Sequence, residues 1–211
     1  MSTFAIENLR RQLREKFPAA HVVRAEPSPA IPASKPFTPD AFPAGVISEV
    51  VPAGPGAGIL LLVAGLLGDP DEAAPHPELV LVDGADAFDP ASYPPLACSK
   101  LLWVRCSSAQ EMIKAADLLV HDGNVPFVLL DATGIARRDL SAIPASSWLR
   151  IKQTAGRTGG RVVVLSLSPL VPCASLRLTL SADLSLGDFD VPRPGLLEKL
   201  KPVSEAFSRA T

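Results

Sequence analysis

The sequence predicts an α/β fold, a mainly parallel, twisted sheet with helices on both faces. Two observations carry the expectation. Leu79–Asp83 (LVLVD), Leu101–Arg105 (LLWVR), 126–131 (PFVLLD) and 161–167 (RVVVLSL) are short apolar runs without the polar alternation of a strand that has one wet face. Runs of that kind belong to strands buried on both sides, as in parallel sheets. Segments with helical periodicity separate them, and such alternation builds a sheet through crossover connections, with sites gathered at the carboxyl ends of the strands.

The elements follow in order. Residues 4–17 place Phe4, Ile6, Leu9, Leu13 and Phe17 on one helical stripe, with Arg10, Arg11, Arg14 and Lys16 opposite, which predicts a short amphipathic helix able to dock on a neighbouring subunit or on its own core. Residues 26–43 (EPSPAIPASKPFTPDAFP) hold too many prolines for a helix and read as an extended arm. Residues 46–51 form a β-branched strand and 58–67 an apolar helix. Residues 108–121 are the best helix. Ser108 caps it, Glu111 sits at the reciprocal capping-box position, and Met112, Ala115, Ala116 and Leu119 share one face. Residues 147–158 give a further helix. Residues 175–182 alternate Leu176, Leu178 and Leu180 with polar residues, as a half-exposed strand does, and are expected to extend one edge antiparallel. A last helix is expected around 196–200, interrupted by Pro202. The chain therefore divides into a helix and arm (1–43), a core (44–183) and a tail (184–211).

Composition bounds what this domain does. A length of 211 residues suits one core. A hydrophobic fraction of 47% and a net charge of -2 describe a globular protein whose bulk charge names no partner. The most apolar run, 59–67, falls far short of the ~20 residues that cross a bilayer. No secretion-like apolar stretch opens the sequence, so a cytoplasmic protein is expected. Cys98, Cys106 and Cys173 are odd in number and widely spaced, with three histidines in all. That pattern reads as small buried hydrophobes, with no disulfide framework and no zinc site. The 22 prolines are roughly twice the usual ~5%.

Three ordered stretches resemble the core of the RecA recombinase family. FPAGVISEVVPAGPGAGILLL resembles its strand and phosphate-binding loop, with Gly45, Ile47 and Glu49 on the strand. LVLVDGADAFDP resembles the strand whose acidic residue, two places after Asp83, activates water. QEMIKAADLLVHDGNVPFVLLD resembles the helix, glycine turn and strand that end in an Asp, here Asp131. The resemblance covers 42–167 and implies a RecA-like, P-loop-type three-layer fold.

The residues that make such a loop an ATPase are missing. A phosphate loop needs curled backbone amides, a Lys for the β and γ phosphates and a hydroxyl for Mg²⁺. Gly54, Gly56 and Gly58 remain, but Gly58, Ile59 and Leu60 stand where the Lys and the hydroxyl belong, and Pro52 and Pro55 remove two donors. Ala85 occupies the position of the water-activating Glu, with Asp86 and Asp89 one and four places off. Asp83 and Asp131 survive as strand-end carboxylates. Asp131 can serve a metal, although a lone strand-end carboxylate is usually a cap or turn residue. The expected protein is not an enzyme and holds no cofactor.

Among RecA relatives the pattern looks most like the ImuA-type proteins of bacterial mutagenesis cassettes. That resemblance implies a non-catalytic adaptor in damage-induced (SOS) translesion synthesis, acting with a Y-family-polymerase-like protein, an error-prone replicative polymerase subunit or RecA itself. Two alternatives stand beside it, a residual nucleotide-binding ATPase or switch and a SulA-like division inhibitor that binds FtsZ. Charge is uneven along the chain. Residues 69–89 hold seven acids and no base, whereas 137–161 hold Arg137, Arg138, Arg150, Lys152, Arg157 and Arg161 against Asp139 alone. Arg137, Arg138 and Arg157 are the candidates for DNA phosphate contact. The absence of an aromatic platform beyond Trp148 and the short, uncharged loop 169–174 argue against filament-style DNA binding.

Overall fold

A computed structural model describes residues 37–68, 79–99 and 101–205. The helix read at 4–17 and most of the proline-rich arm lie outside the described residues. In chain order the elements are β1 (Ile47–Pro52), α1 (Ile59–Leu67), β2 (Leu79–Asp83), α2 (Pro95–Ser99), β3 (Leu101–Arg105), α3 (Ala109–Asp122), β4 (Phe127–Asp131), α4 (Arg137–Ser141), α5 (Ala145–Thr158), β5 (Arg161–Leu165), β6 (Leu176–Ala182), α6 (Arg193–Leu197) and β7 (Leu200–Glu205). The strands form one sheet in the order β3-β2-β4-β5-β1-β6-β7, parallel throughout except for β6 with β7.

Three of the four continuous apolar runs end up where their composition demands, whereas Leu101–Arg105 forms the edge strand β3, in which no residue is fully buried. Every residue of β2 is buried, as are four of five in β4 and in β5. Side chains alternate between two cores. Val80, Val82, Val128, Leu130, Val162 and Val164 face α3 and α5, where Met112, Ala116, Trp148 and Ile151 pack. Leu79, Leu81, Leu129, Val163 and Leu165 face α1 with Leu62 and Leu66, and Phe37 and Phe42 from the end of the arm close that side. The α/β three-layer fold is therefore present. Among the described residues no helix is long and apolar enough to cross a membrane.

Local signals act much as their chemistry requires, with one shift. Ser108 Oγ accepts from the Glu111 amide at 3.3 Å, which caps α3. The reciprocal half of the box moves back one residue. Glu111 Oε2 accepts from the amide and the hydroxyl of Ser107, both at 2.8 Å, and these bonds hold its carboxyl below the usual range.

Two expectations about the carboxyl-terminal third are corrected. Strand β6 does not extend an edge antiparallel. It runs parallel to β1, with Ser48 beside Leu176 and Val50 beside Leu178, and the antiparallel edge is β7. Alternation reports one dry face and says nothing of direction. Second, the helix expected at 196–200 is α6, of the same length but three residues earlier, and Pro202 lies within β7 opposite Leu180. An edge strand tolerates proline because one row of its backbone groups has no strand to pair with. The sheet thus continues past residue 183 into what the sequence presents as a tail.

Strand β6 is unusual in how it is reached. Parallel neighbours are normally joined by a crossover of a dozen residues or more, usually a helix. Here 166–175 pass over β1 without one, and their backbone needs acceptors in a buried place. Glu49, fully buried on β1, supplies them. Its Oε1 accepts from Ser166 Oγ (2.9 Å) and from the amides of Leu170 (2.6 Å) and Val171 (3.2 Å). Its Oε2 takes Arg177 Nε at 2.8 Å, and Arg177 also donates to the Val171 carbonyl at 3.2 Å. One residue earlier on the same strand, Ser48 Oγ is buried with no hydrogen-bond partner among the described residues.

Candidate functional site

The carboxyl ends of β1, β2 and β4 carry the residues singled out from the sequence. Gly54, Gly56 and Gly58 lie together on the loop from β1 to α1, in the expected strand–loop–helix setting. Gly56 and Gly58 have φ of 74° and 85°, where a side chain is strained. Gly58 is also a packing glycine. A Cβ there would stand 2.4 Å from Leu200 Cδ2 and 3.4 Å from Ala182 Cβ, so its bareness lets β6 and β7 close against the loop. The first helical residues are Ile59 and Leu60, the latter 72% exposed, and neither offers a cation or a hydroxyl.

Asp83 is taken up by its own chain. Oδ1 accepts from the amides of Ala85 (3.2 Å) and Ala87 (3.0 Å), and Oδ2 from the Phe88 amide (2.8 Å) and the Trp103 indole (3.3 Å). The carboxylate thereby folds the turn that follows β2 and fastens β3 to it. Ala85 presents only a methyl group, and the loop after β4 closes on it so tightly that a Cβ at Gly134 would lie 2.6 Å from its Cβ. Asp86, at φ 54°, is held by a two-pronged ion pair with Arg105 at 2.5 and 2.7 Å. Phe88 stacks on Tyr93 and meets Trp103 edge-on, while Arg105 covers the Trp103 ring and Arg193 the Tyr93 ring. Sequence reasoning missed this ladder, whose members are spread from 88 to 193.

Asp131 sits in register with Asp83 on the neighbouring strand. Its Oδ1 accepts from the Thr133 amide (2.9 Å) and hydroxyl (2.6 Å), the turn role that strand-end carboxylates commonly have. Burial pushes its pKa up, the Thr133 bonds pull it down, and the charge of Asp83 adds to the rise. A carboxyl whose pKa is raised on folding is best tolerated below its unfolded pKa, and that contribution is lost as pH rises through the folded value. Asp131→Asn keeps an acceptor for Thr133 and removes the charge. Its melting temperature is expected to exceed that of the unaltered chain at pH 7, with the difference narrowing toward pH 4. A variant that melts lower at pH 7 would assign the carboxylate a bonding role beyond Thr133.

The basic residues do not form one surface. Arg137 and Arg138 begin α4, just past the carboxyl end of β4, whereas Arg157 lies in the last turn of α5, which hands over to the amino end of β5. The three DNA candidates thus divide between opposite ends of the sheet, because α5 runs against the strands. Most of the other cations are engaged internally: Arg150 with Asp117 (2.8 Å), Lys152 with the Cys173 carbonyl (2.9 Å), and Arg161 with the Phe42 carbonyl (3.0 Å) and Asp40 (3.1 Å). Arg137 lines a cleft of about 180 Å³ with Leu140, Trp148, Ser168, Pro169 and Leu170. The loop on its far wall is the one pinned by Glu49.

No protein-family model and no curated protein matches the sequence. Among solved structures the chain is similar to the crystal structure of the RadB recombinase, with a TM-score of 0.50 and 15% identity over 74% of this chain and 85% of that one. At that identity the likeness concerns the fold. The chain has a RecA-like α/β fold.

Proposed function

We propose that this chain is a non-catalytic RecA-like adaptor of the ImuA type, acting through protein contacts in damage-induced translesion synthesis. Its expected partners are a Y-family-polymerase-like protein, an error-prone replicative polymerase subunit, or RecA. One observation carries the non-catalytic part. At the carboxyl ends of the strands the groups that would perform phosphoryl transfer are either replaced, as at Gly58, Ile59, Leu60 and Ala85, or bonded within the fold, as Asp83 is to four donors. Losing one charge-stabilising group in such a site typically costs ~10²-fold or more, and three are missing together. The fold shared with a recombinase supports work beside DNA, while the internal engagement of most cations in 137–161 favours protein contacts over direct phosphate binding.

The full chain, incubated with ATP, Mg²⁺ and single-stranded DNA, is expected to release no phosphate above the protein-free blank. Affinity purification from damaged cells is expected to recover a polymerase-like protein or RecA. DNA-stimulated hydrolysis, or recovery of neither, would sink the reading. The left-handed loop at Gly56 and Gly58 favours one alternative, a nucleotide-binding switch. A ligand at ~100 times its Kd adds about 2.7 kcal/mol of stability, so an unchanged melting temperature in millimolar ATP or ADP removes it.

A further inference from the structure

Large apolar side chains are exposed together at one place. After β6, Leu186–Asp190 forms a single 3-10 turn, in which residues three apart eclipse one another. Leu186 and Phe189 therefore stand side by side, 91% and 62% exposed, with Val191 (44%) next to them. The turn is braced. Asp188 Oδ2 accepts from the Ser185 amide (2.7 Å) and hydroxyl (2.9 Å), and Asp188 Oδ1 accepts from Lys199. Lys199 and Ser185 hold the Asp188 pKa down at about 2, so the brace persists well into acid. A preorganised apolar knob loses little freedom on binding, as an anchor residue should. Around it, 183–190 carry Asp183, Asp188 and Asp190 and no base; Lys199 pairs with Asp188 and Lys201 lies 3.7 Å from Asp183, so Asp190 is the one of the three without an ion pair among the described residues.

The chain holds a segment of the opposite character. Residues 4–17 pair the stripe Phe4, Ile6, Leu9, Leu13 and Phe17 with Arg10, Arg11, Arg14 and Lys16. Its tether reaches the core at Phe37. Phe37 is buried over Gly65, where a Cβ would meet the Phe37 carbonyl at 2.9 Å and Leu197 Cδ2 at 3.4 Å. The arm thus joins the core beside α6, the helix that starts two residues after Val191. Residues 18–36 span up to roughly 60 Å when extended, enough to bring 4–17 back across α6.

We propose that residues 4–17 dock in cis on the turn carrying Leu186, Phe189 and Val191, apolar stripe against apolar knob and cations toward Asp190. The inference stands independently of the adaptor reading. Tethering by a chain of this length gives a local concentration on the order of 1 mM, which suits a weak, displaceable latch.

A fluorescein-labelled peptide of residues 1–20 tests this by anisotropy against three full-length chains. These are the unaltered one, Leu9→Glu with Leu13→Glu, and that pair combined with Leu186→Ser and Phe189→Ser. The second chain, whose own latch is broken, is expected to bind the peptide at least about tenfold more tightly than the unaltered chain. The third is expected to bind none. Both turn residues are exposed, so the third chain should melt with the second; if it does not, Asp190→Lys in the second chain replaces it and is expected to weaken binding severalfold. Equal affinity for the first two chains, no binding to the second, or full binding to the third overturns the proposal. Light scattering decides between cis and trans. A dimer of the unaltered chain that Leu9→Glu with Leu13→Glu dissolves would place the contact between copies and overturn docking in cis.

Discussion

Glu49→Ala is expected to lower the unfolding free energy by about 3–5 kcal/mol, as found when one partner of a buried ion pair is removed. The guanidinium of Arg177, its side chain only 13% exposed, loses the Glu49 carboxylate, and the hydroxyl of Ser166 and the amides of Leu170 and Val171 lose the same acceptor. Urea unfolding measures the loss. Hydrogen exchange localises it, with faster exchange expected first at Leu170 and Val171. Converting both charges to leucine should recover most of the stability, because a well-packed apolar pair avoids the desolvation that an ion pair has to offset. A loss below about 1 kcal/mol for Glu49→Ala would mean that apolar contacts of Val171 hold the crossing loop.

Asp83→Ala is expected to cost about 3 kcal/mol, since four donors lose their acceptor and each orphan costs ~1–3 kcal/mol where water cannot replace it. The near-ultraviolet dichroism of Trp103 should change with it, because that indole is one of the four. Asp83→Asn keeps one oxygen but turns the other position into a donor that faces donors, so about half the loss is expected to remain. Were Asp83 instead a metal carboxylate, the loss would appear only with Mg²⁺ present and vanish with chelator.

Much of this architecture was legible before any coordinates. The runs LVLVD, PFVLLD and RVVVLSL have nothing polar to turn toward water until their ends, and they became the buried strands β2, β4 and β5. The cap of α3 was legible because Ser108 acts over three residues. What escaped was long-range. The direction of β6 depends on a helix-free connection held by Glu49, and nothing in the local pattern of Leu176, Leu178 and Leu180 reports a partner more than a hundred residues away. Pro202 read as a breaker because a proline shows its missing donor without showing whether a neighbour wants it. At the site, the glycines and Ala85 were readable as absences. The four bonds of Asp83 were not, since they come from a turn whose shape the carboxylate itself determines. The scatter of Arg137, Arg138 and Arg157 follows from α5 reversing direction, so closeness in sequence became distance across the sheet.

The placement of β1 between β5 and β6 has a consequence for how the protein is made. The first strand of the sheet leaves the ribosome with neither neighbour available, and its buried carboxylate waits for donors 117 to 128 residues later in the chain. At ~5–20 residues per second, translation takes roughly 6–25 s to supply them. Until then a strand rich in valine and isoleucine, with a bare charge at its centre, has to be kept apart from other nascent chains. Nascent chains stalled before β6 should accordingly remain sensitive to protease, with resistance gained in one step once Arg177 has cleared the exit tunnel.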